Sequence, residues 1–219
     1  MKKTSYHHGN LKEEFLAVAL DFIAKNDADE LTLKVLSDAT GTSRSAIYRH
    51  FASKDALMEA VILEGFDRFD TAVAPLLQDV KKPLVERFYH GGKLYIDFAR
   101  SHPNLYRLLF GHKYATLRES LVSIKDEDCS GFGALKLAIE EGQKNGLLKK
   151  EDSHQRTIVI WSTLHGFASL LIDGFLDVEE IAESVYEELF AGLLAGAAAD
   201  KVKIFSLLPF SKRFLQPGS

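Results

Sequence analysis

The 219-residue sequence contains a single cysteine, Cys129, and only five prolines. One cysteine excludes an internal disulfide and a zinc site built from several thiolates, and it is typical of a protein that works in a reducing compartment. No apolar run approaches the roughly 20 residues that a membrane-spanning helix needs, and the first residues lack the apolar stretch of a signal peptide. We therefore expect a soluble, cytoplasmic protein with no membrane partner.

The scarcity of proline and of alternating β-branched residues favours an all-α fold. Apolar side chains recur every three or four positions within residues 10–25, which are predicted to form an amphipathic helix with Asn10 as its N-cap. Two short helices follow, and then a long helix that begins after Ser53 and is expected to fray or bend near Pro75. Further helices are predicted at residues 84–100, 103–110, 129–145, 153–173 and 178–198.

Charge is distributed unevenly along the chain. The whole sequence has a formal net charge of −4, which argues against a protein that is basic throughout. Residues 32–54 are different, because they carry four basic side chains and one acidic side chain, a net charge of +3. A basic segment within an acidic chain is typical of a local contact with a polyanion such as nucleic acid.

The stretch 32–51 predicts two short helices joined by a tight turn at Gly41. Thr32 and Ser43 stand where the two helices begin, and their hydroxyl groups suit the N-cap position. Helices of about two turns do not persist alone, so the pair must pack through shared apolar positions. These positions are Leu36, Ile47 and Phe51. The other side chains of the second helix are polar or can form hydrogen bonds, so they are free to face outward.

This outward face has the chemistry of a surface that contacts DNA. Arg44 and Arg49 can address guanine edges or phosphates. Tyr48 and His50 can hydrogen-bond the DNA backbone, and serine hydroxyls at the helix N-terminus favour a phosphate. The predicted DNA-binding residues are Thr32, Lys34, Ser43, Arg44, Ser45, Tyr48, Arg49, His50 and Lys54.

A helix–glycine–helix pattern alone also fits a generic helical hairpin with a solvated face. The continuation at residues 48–57 is more specific, because it reads YRHFASKDAL. It resembles the TetR family of bacterial regulators, whose pattern here is Tyr-x-His-Phe-x-x-Lys-x-x-Leu. The resemblance covers about residues 10–60 and departs from the family at three positions. Ser37 and Thr40 stand where the family usually has alanines, and Thr42 where it usually has valine.

The resemblance implies a three-helix helix-turn-helix head joined to a larger helical domain that binds a ligand and dimerises. The predicted division is a DNA-binding domain at residues 1–54 and a C-terminal helical bundle at residues 55–219. Eight of the predicted DNA-binding residues match the family's usual contacts, whereas Arg49 occupies a variable position and its base-reading role is inferred from its chemistry alone. The basic start at Lys2 and Lys3 resembles the arm of one subgroup, and an unordered end is the alternative.

In the second domain, Trp161, His165 and Gly166 resemble the Trp–His–Gly signature of one TetR subgroup. Trp161 and His165 are four residues apart and share a helix face. One interpretation is an aromatic-walled pocket for a small hydrophobic or aromatic ligand, and the other is an ordinary core with a satisfied histidine. The predicted pocket residues are Phe88, Tyr95, Phe98, Tyr106, Phe110, Trp161 and His165. The eight histidines are scattered, so neither a metal site nor a cofactor is predicted.

The last two predicted helices, at 153–173 and 178–198, are rich in leucine, alanine and glycine. By family resemblance they form a four-helix bundle with the partner's copies, although an internal core pair would have a similar composition. Two recognition helices of a homodimer meet successive major grooves about 34–36 Å apart. The expected partner is therefore a palindromic or pseudo-palindromic double-stranded DNA operator.

The function expected from these features is that of a repressor released from its operator by a small molecule. An enzyme is disfavoured, because the sequence contains no P-loop, zinc-protease, nucleophile-elbow or dinucleotide-binding motif. The other alternative is a DNA-binding regulator whose larger domain serves only dimerisation or a protein partner. A pocket large enough to hold a ligand would argue against that alternative.

Overall fold

The computed structural model describes residues 11–122, 130–176, 179–200, 204 and 206–208. Within these residues the predicted all-α fold is confirmed. The helices are α1 (Leu11–Ile23), α2 (Leu33–Thr40), α3 (Arg44–Tyr48), α4 (Lys54–Gln78), α5 (Leu84–Ser101), α6 (Pro103–Phe110), α7 (Ala115–Val122), α8 (Gly131–Lys144), α9 (Ser153–Ile172) and α10 (Glu179–Ala197). The predicted N-cap Asn10, the basic arm and most of the 201–219 tail lie outside the described residues.

Side-chain caps explain where several helices begin. Thr32 and Ser43 each accept a hydrogen bond from the backbone N–H three residues ahead, at 3.1 and 3.2 Å. The same arrangement occurs before α8 at Ser130 and before α9 at Asp152. Each such cap stabilises its helix by about 1 kcal/mol. The N-caps predicted at Thr32 and Ser43 are therefore confirmed.

The described chain divides into two compact units. The first unit contains the described residues of 1–68 and 102–124, and the second contains those of 69–101 and 125–219. The division between residues 68 and 69 falls inside α4. The boundary predicted from the sequence, between residues 54 and 55, falls at the start of the same helix. The membership of α6 and α7 in the first unit was not anticipated from the sequence.

The core of the first unit is built by α1, α2 and α3. Phe15, Leu36 and Ile47 are completely buried, and Phe51 is 2% exposed. The rings of Phe15 and Phe51 have centroids 6.4 Å apart. The apolar positions that the sequence assigns to the helix pair therefore do meet in one core, which α1 completes.

Two helices differ in extent from the sequence prediction. α3 ends at Tyr48 rather than at Phe51, since residues 49 and 50 form a turn in which the N–H groups of His50 and Phe51 both donate to the carbonyl of Ile47 at 2.9 Å. This turn carries Phe51 into the core. α4 continues through Pro75 as far as Gln78. Pro75 has no N–H to donate to the carbonyl of Thr71, so the helix loses one hydrogen bond at a position that is exposed to solvent.

The second unit is centred on α5, α8 and α9, with α10 packed on α9. Arg87 of α5 lies inside it with only 1% of its surface exposed. Its guanidinium donates to the carbonyl of Leu77 at 2.9 Å and to the carboxylate of Glu141 at 2.5 Å. A buried charge needs such partners, so Arg87 joins the end of α4 to α5 and α8.

Among the described helices, none is both long and apolar enough to cross a membrane.

Candidate DNA-binding surface and ligand cavity

The turn between α2 and α3 is shaped by glycine and by hydroxyl groups. Gly41 ends α2 in the left-handed region, at φ 64° and ψ 20°, where a side chain would be strained. The hydroxyl of Ser37 donates to the carbonyl of Thr42 at 2.5 Å, and that of Thr40 donates to the carbonyl of Leu36 at 2.8 Å. The residues that depart from the family's usual alanines and valine thus form hydrogen bonds within the turn.

α3 is held by its buried side and presents the opposite side to solvent. Ile47 is its anchor in the core, whereas 54% of Tyr48 is exposed. His50 is exposed as well, and its ring meets that of Phe15 edge-on with centroids 5.7 Å apart. This contact fixes the position of the imidazole at the edge of the core while its outer edge remains accessible.

Eight of the nine predicted DNA-binding residues are exposed and lie together on the first unit. We call this set the recognition surface, and its members are Thr32, Lys34, Ser43, Arg44, Ser45, Tyr48, Arg49 and His50. In the described part of the chain, no carboxylate forms an ion pair with Lys34, Arg44 or Arg49. These three cations are therefore available to an anionic partner.

The ninth predicted residue, Lys54, is half-buried at the start of α4. Its ammonium group donates to the backbone carbonyl of Asp29 at 3.0 Å. The Asp29 side chain accepts a hydrogen bond from the hydroxyl of Tyr114 at 2.6 Å and forms an ion pair with Lys113. Sequence inspection did not single out this cluster, which ties the loop before α2 to the segment before α7 within the first unit.

The second unit contains a cavity of about 70 Å³, which we call the central cavity. A cavity of this size holds more than a water molecule, and apolar cavities of similar character stay dry and bind small apolar molecules. Its lining comes from five helices and one residue between α8 and α9. The lining residues are Phe69, Val73, Leu77, Phe88, Gly91, Gly92, Tyr95, Gly131, Phe132, Leu135, Leu148, Ile160, Trp161, Leu164, Tyr186, Phe190, Leu193, Leu194 and Ala197.

The central cavity includes three of the seven predicted pocket residues, Phe88, Tyr95 and Trp161. The other four are elsewhere. Phe98 packs edge-on against Phe69 at 5.2 Å, and the ring of His165 lies 6.0 Å from that of Trp161. Tyr106 and Phe110 belong to the first unit, where their rings are 4.8 Å apart and Phe110 also meets Phe66. Partial burial lowers the pKa of His165, which favours its neutral form.

Sequence inspection missed the contribution of α10 to the central cavity. Tyr186 and Phe190 are four residues apart on this helix, stack with centroids 6.3 Å apart, and both line the cavity. The Tyr186 hydroxyl donates to the carbonyl of Tyr89 at 2.5 Å, and burial raises the pKa of the Tyr186 phenol. The aromatic pair at this spacing was the available signal, but the composition of this helix pointed to a dimerisation bundle or an internal core pair and not to a pocket wall.

α9 and α10 also present exposed apolar positions and exposed glycines. Val159 and Leu170 on α9 are 47% and 45% exposed, and Val185 on α10 is 36% exposed. A side chain built at Gly166 or Gly192 would meet nothing within 4 Å among the described residues. We call the exposed apolar, glycine and serine positions of these two helices the α9–α10 face. Its members are Ile158, Val159, Ser162, Gly166, Leu170, Val185, Gly192 and Gly196.

Across the described ranges, no three His, Cys, Asp or Glu side chains are grouped as metal ligands would be.

Two family models match the chain. Residues 15–61 match the model of bacterial regulatory proteins of the tetR family, and residues 88–194 match a tetracyclin repressor-like C-terminal domain. The first match contains the recognition surface. The second contains α6, α7, α8 and α9 entirely, together with most of α5 and α10.

Among curated proteins, the nucleoid occlusion factor SlmA of Aliivibrio fischeri is 31% identical over 115 residues, which is 52% of this chain and 58% of that protein. SlmA of Shewanella woodyi is 28% identical over 141 residues, 64% of this chain and 68% of that protein. The chain thus spans less than two thirds of the length of the Aliivibrio relative.

Solved structures share the fold over nearly the whole chain. A protein of unknown function from Rhodococcus sp. RHA1 has a TM-score of 0.74 at 26% identity and covers 90% of this chain and 100% of its own. A TetR-family transcriptional regulator from Haemophilus influenzae RD has a TM-score of 0.59 at 22% identity, with coverage of 81% and 93%.

Proposed function

The chain belongs to the TetR family of bacterial regulatory proteins, and from this premise we propose that it is a DNA-binding repressor controlled by a small hydrophobic ligand. The observation that carries the DNA-binding part is the recognition surface. Its three cations, which pair with no carboxylate of the described residues, stand on the outward side of a helix pair whose inward side is buried. Such a repressor acts in the cytoplasm, where bacterial DNA lies, and needs no catalytic residue.

Within this proposal, each residue of the recognition surface has a role that follows from its chemistry. Arg44 and Arg49 read base edges in the major groove, because a guanidinium can donate two parallel hydrogen bonds to guanine. Tyr48, His50 and the serine hydroxyls contact the DNA backbone, and Thr32 and Lys34 touch phosphate. Lys54 contacts a phosphate after its hydrogen bond to the backbone carbonyl of Asp29 breaks. The phosphate is charged and is therefore the stronger hydrogen-bond acceptor.

We propose that the working form is a homodimer joined through the α9–α10 face. Glycine inside a helix costs about 1 kcal/mol relative to alanine, so Gly166 and Gly192 in exposed helix interiors call for a packing reason. In the chain by itself nothing described occupies the space beside them. A second copy that approaches closely through these glycines, and buries Val159 and Leu170, supplies that reason and presents two recognition surfaces to a palindromic operator.

Ligand control follows from linkage between the central cavity and the DNA-binding form. A ligand that prefers a conformation unsuited to the operator must weaken DNA binding by its own differential affinity, typically about 1–3 kcal/mol. α4 is the element common to both units, since it begins at Lys54 and also supplies Phe69, Val73 and Leu77 to the cavity lining. A ligand in the central cavity therefore changes the DNA-binding helices by shifting α4.

A titration of operator binding tests this control. A small apolar molecule that binds the central cavity is expected to weaken operator affinity by about 5–150-fold at saturation. Fluorescence anisotropy of labelled operator, measured with and without the molecule at fixed salt, provides the value. Tight occupancy of the cavity that leaves operator affinity unchanged would refute ligand control and leave the DNA-binding role intact.

A second candidate function is a DNA-binding protein whose second unit serves only dimerisation or a protein partner. The names of the curated relatives favour it, because they describe nucleoid occlusion and mention no small molecule. The same titration separates the two candidates, since this alternative predicts that no cavity-bound molecule affects DNA affinity.

A further inference from the structure

The central cavity has almost no polar group to offer a ligand. Its described lining contains no aspartate, glutamate, lysine, arginine or histidine. The polar side chains among its residues are two phenols and one indole, those of Tyr95, Tyr186 and Trp161. The hydroxyl of Tyr186 is already engaged by the carbonyl of Tyr89. A charged molecule in this cavity would therefore lose its hydration without gaining an ionic partner.

Charged side chains are nevertheless close by, in a separate cleft of the second unit. We call it the outer cleft, and its lining residues are Lys93, Ile96, Asp97, Arg100, Phe167, Leu171, Glu183 and Tyr186. Lys93 forms an ion pair with Glu183 and lies over the ring of Tyr89, 5.4 Å from its centroid. Tyr186 is the one residue common to the linings of the outer cleft and the central cavity. Its ring therefore stands between the charged groups and the apolar space.

Hydrogen bonding and ring contacts hold Tyr186 in that position. Its hydroxyl bonds to the Tyr89 carbonyl, its ring stacks on Phe190, and Phe167 lies on another side at 6.4 Å. Gly92 makes room for the hydroxyl, because a Cβ at this position would collide with it. With 3% of its surface exposed, Tyr186 forms a fixed wall rather than a loose surface side chain.

Building on the proposed function, we infer that the central cavity binds an uncharged, predominantly apolar molecule and rejects the carboxylate, phosphate and ammonium forms of the same skeleton. The Tyr186 wall is the specificity-determining element, because it keeps the ligand away from water and from the charged side chains of the outer cleft, Lys93, Asp97, Arg100 and Glu183. Apolar surface transferred into the cavity provides the binding free energy, and the absence of an ionic partner provides the selectivity.

Matched pairs of probes that share one aromatic skeleton, an uncharged methyl ester and its carboxylate, test this inference. Methyl benzoate and methyl 1-naphthoate are compared with benzoate and 1-naphthoate at pH 7, by isothermal titration and thermal denaturation of the full-length protein without DNA. Each binding ester is expected to bind at least about tenfold more tightly than its acid and to raise Tm where the acid does not. An acid that binds as tightly as its ester, or the failure of both esters to bind, overturns the inference.

The site of binding is tested by filling the cavity. Leu135→Trp places a larger ring in the lining, whereas Leu137→Trp adds the same ring at an exposed position of the same helix, 47% exposed in the native chain. Ester binding is expected to be lost in the first variant and kept in the second. Leu194→Phe, also in the lining, serves the same purpose if Leu135→Trp does not fold. Ester binding that survives in the folded cavity variant places the site elsewhere and contradicts the inference.

The role of the wall is tested by opening it. Tyr186→Ala is expected to reduce the preference for ester over acid about tenfold, because the central cavity then opens to the outer cleft and to water, so that a carboxylate keeps part of its hydration. Tyr186→Phe keeps the ring and is expected to keep the preference. If a folded Tyr186→Ala variant kept the wild-type preference for ester over acid, Tyr186 would not be the residue that determines charge selectivity.

The inference and the proposed ligand control can fail separately. If the protein prefers the esters but the esters do not change its affinity for the operator, ligand control is refuted and this inference still holds.

Discussion

Replacing Arg44 with alanine is expected to weaken binding to the preferred operator far more than binding to unrelated DNA. Arg44 is exposed at the first position of α3, and no described carboxylate pairs with it. A bidentate contact to guanine discriminates by about 1–3 kcal/mol. Because a dimer on a palindrome makes the contact twice, the loss on the full operator is about 2–6 kcal/mol. Anisotropy titrations on the operator and on a scrambled duplex, at one salt concentration, measure the difference.

Two further variants show whether this loss reflects base reading. Lys144→Ala removes an exposed cation from the second unit and is expected to leave both affinities almost unchanged. Lys54→Ala is expected to weaken all duplexes alike and to reduce the salt slope by about 1 per copy, since it removes a phosphate contact. Equal losses on operator and scrambled DNA for Arg44→Ala would exclude Arg44 from the base-reading residues.

Substitution of Gly166 by leucine is expected to disrupt the homodimer and, with it, operator binding. Nothing described lies within 4 Å of a Cβ at this position, so the single chain accommodates the new side chain, and the helix itself gains from the loss of glycine. A closely packed partner does not accommodate it. Overpacking costs about 1–3 kcal/mol for each copy, which gives about 2–6 kcal/mol per dimer. Sedimentation equilibrium over a range of concentrations measures the dimer dissociation constant.

The matched control is Ala72→Leu, which adds leucine to an exposed position of α4 away from the α9–α10 face. Its dimer dissociation constant is expected to equal that of the wild type. A Gly166→Leu variant that dimerises normally would show that the two copies meet through another surface. Thermal denaturation of the variant at low concentration separates loss of the dimer from loss of the fold.

The local features of the head were predictable because they depend on residues that are near in sequence. Thr32 and Ser43 each precede an apolar pattern, and Gly41 separates the two patterns. In the structure the two hydroxyl side chains are N-caps and the glycine ends α2 in the left-handed region. The end of α3 was harder to predict. Phe51 continues the helical spacing and its N–H still bonds to the carbonyl of Ile47, yet residues 49 and 50 form a turn and the helix ends at Tyr48.

The central cavity was predictable only in part, because its walls come from segments far apart in the chain. Trp161 and Tyr95 attract notice as aromatic residues within a signature, whereas Phe69 and Tyr186 reach the same space from α4 and α10. Nearness in sequence was also misleading for Tyr106 and Phe110. They follow α5 directly, yet α6 belongs to the first unit with the helix-turn-helix. Side chains can be assigned to a shared pocket only when the packing of whole helices is known.

The central claim, that this protein reads a specific DNA sequence through the recognition surface, is tested most directly by one comparison. Duplexes selected from a random pool by the full-length wild-type protein provide a candidate operator, whose affinity is then measured beside that of its scrambled sequence at 0.15 M salt. We predict a palindromic or pseudo-palindromic site that binds about 10³-fold or more tightly than the scrambled duplex. Equal affinities for the two duplexes would contradict the account.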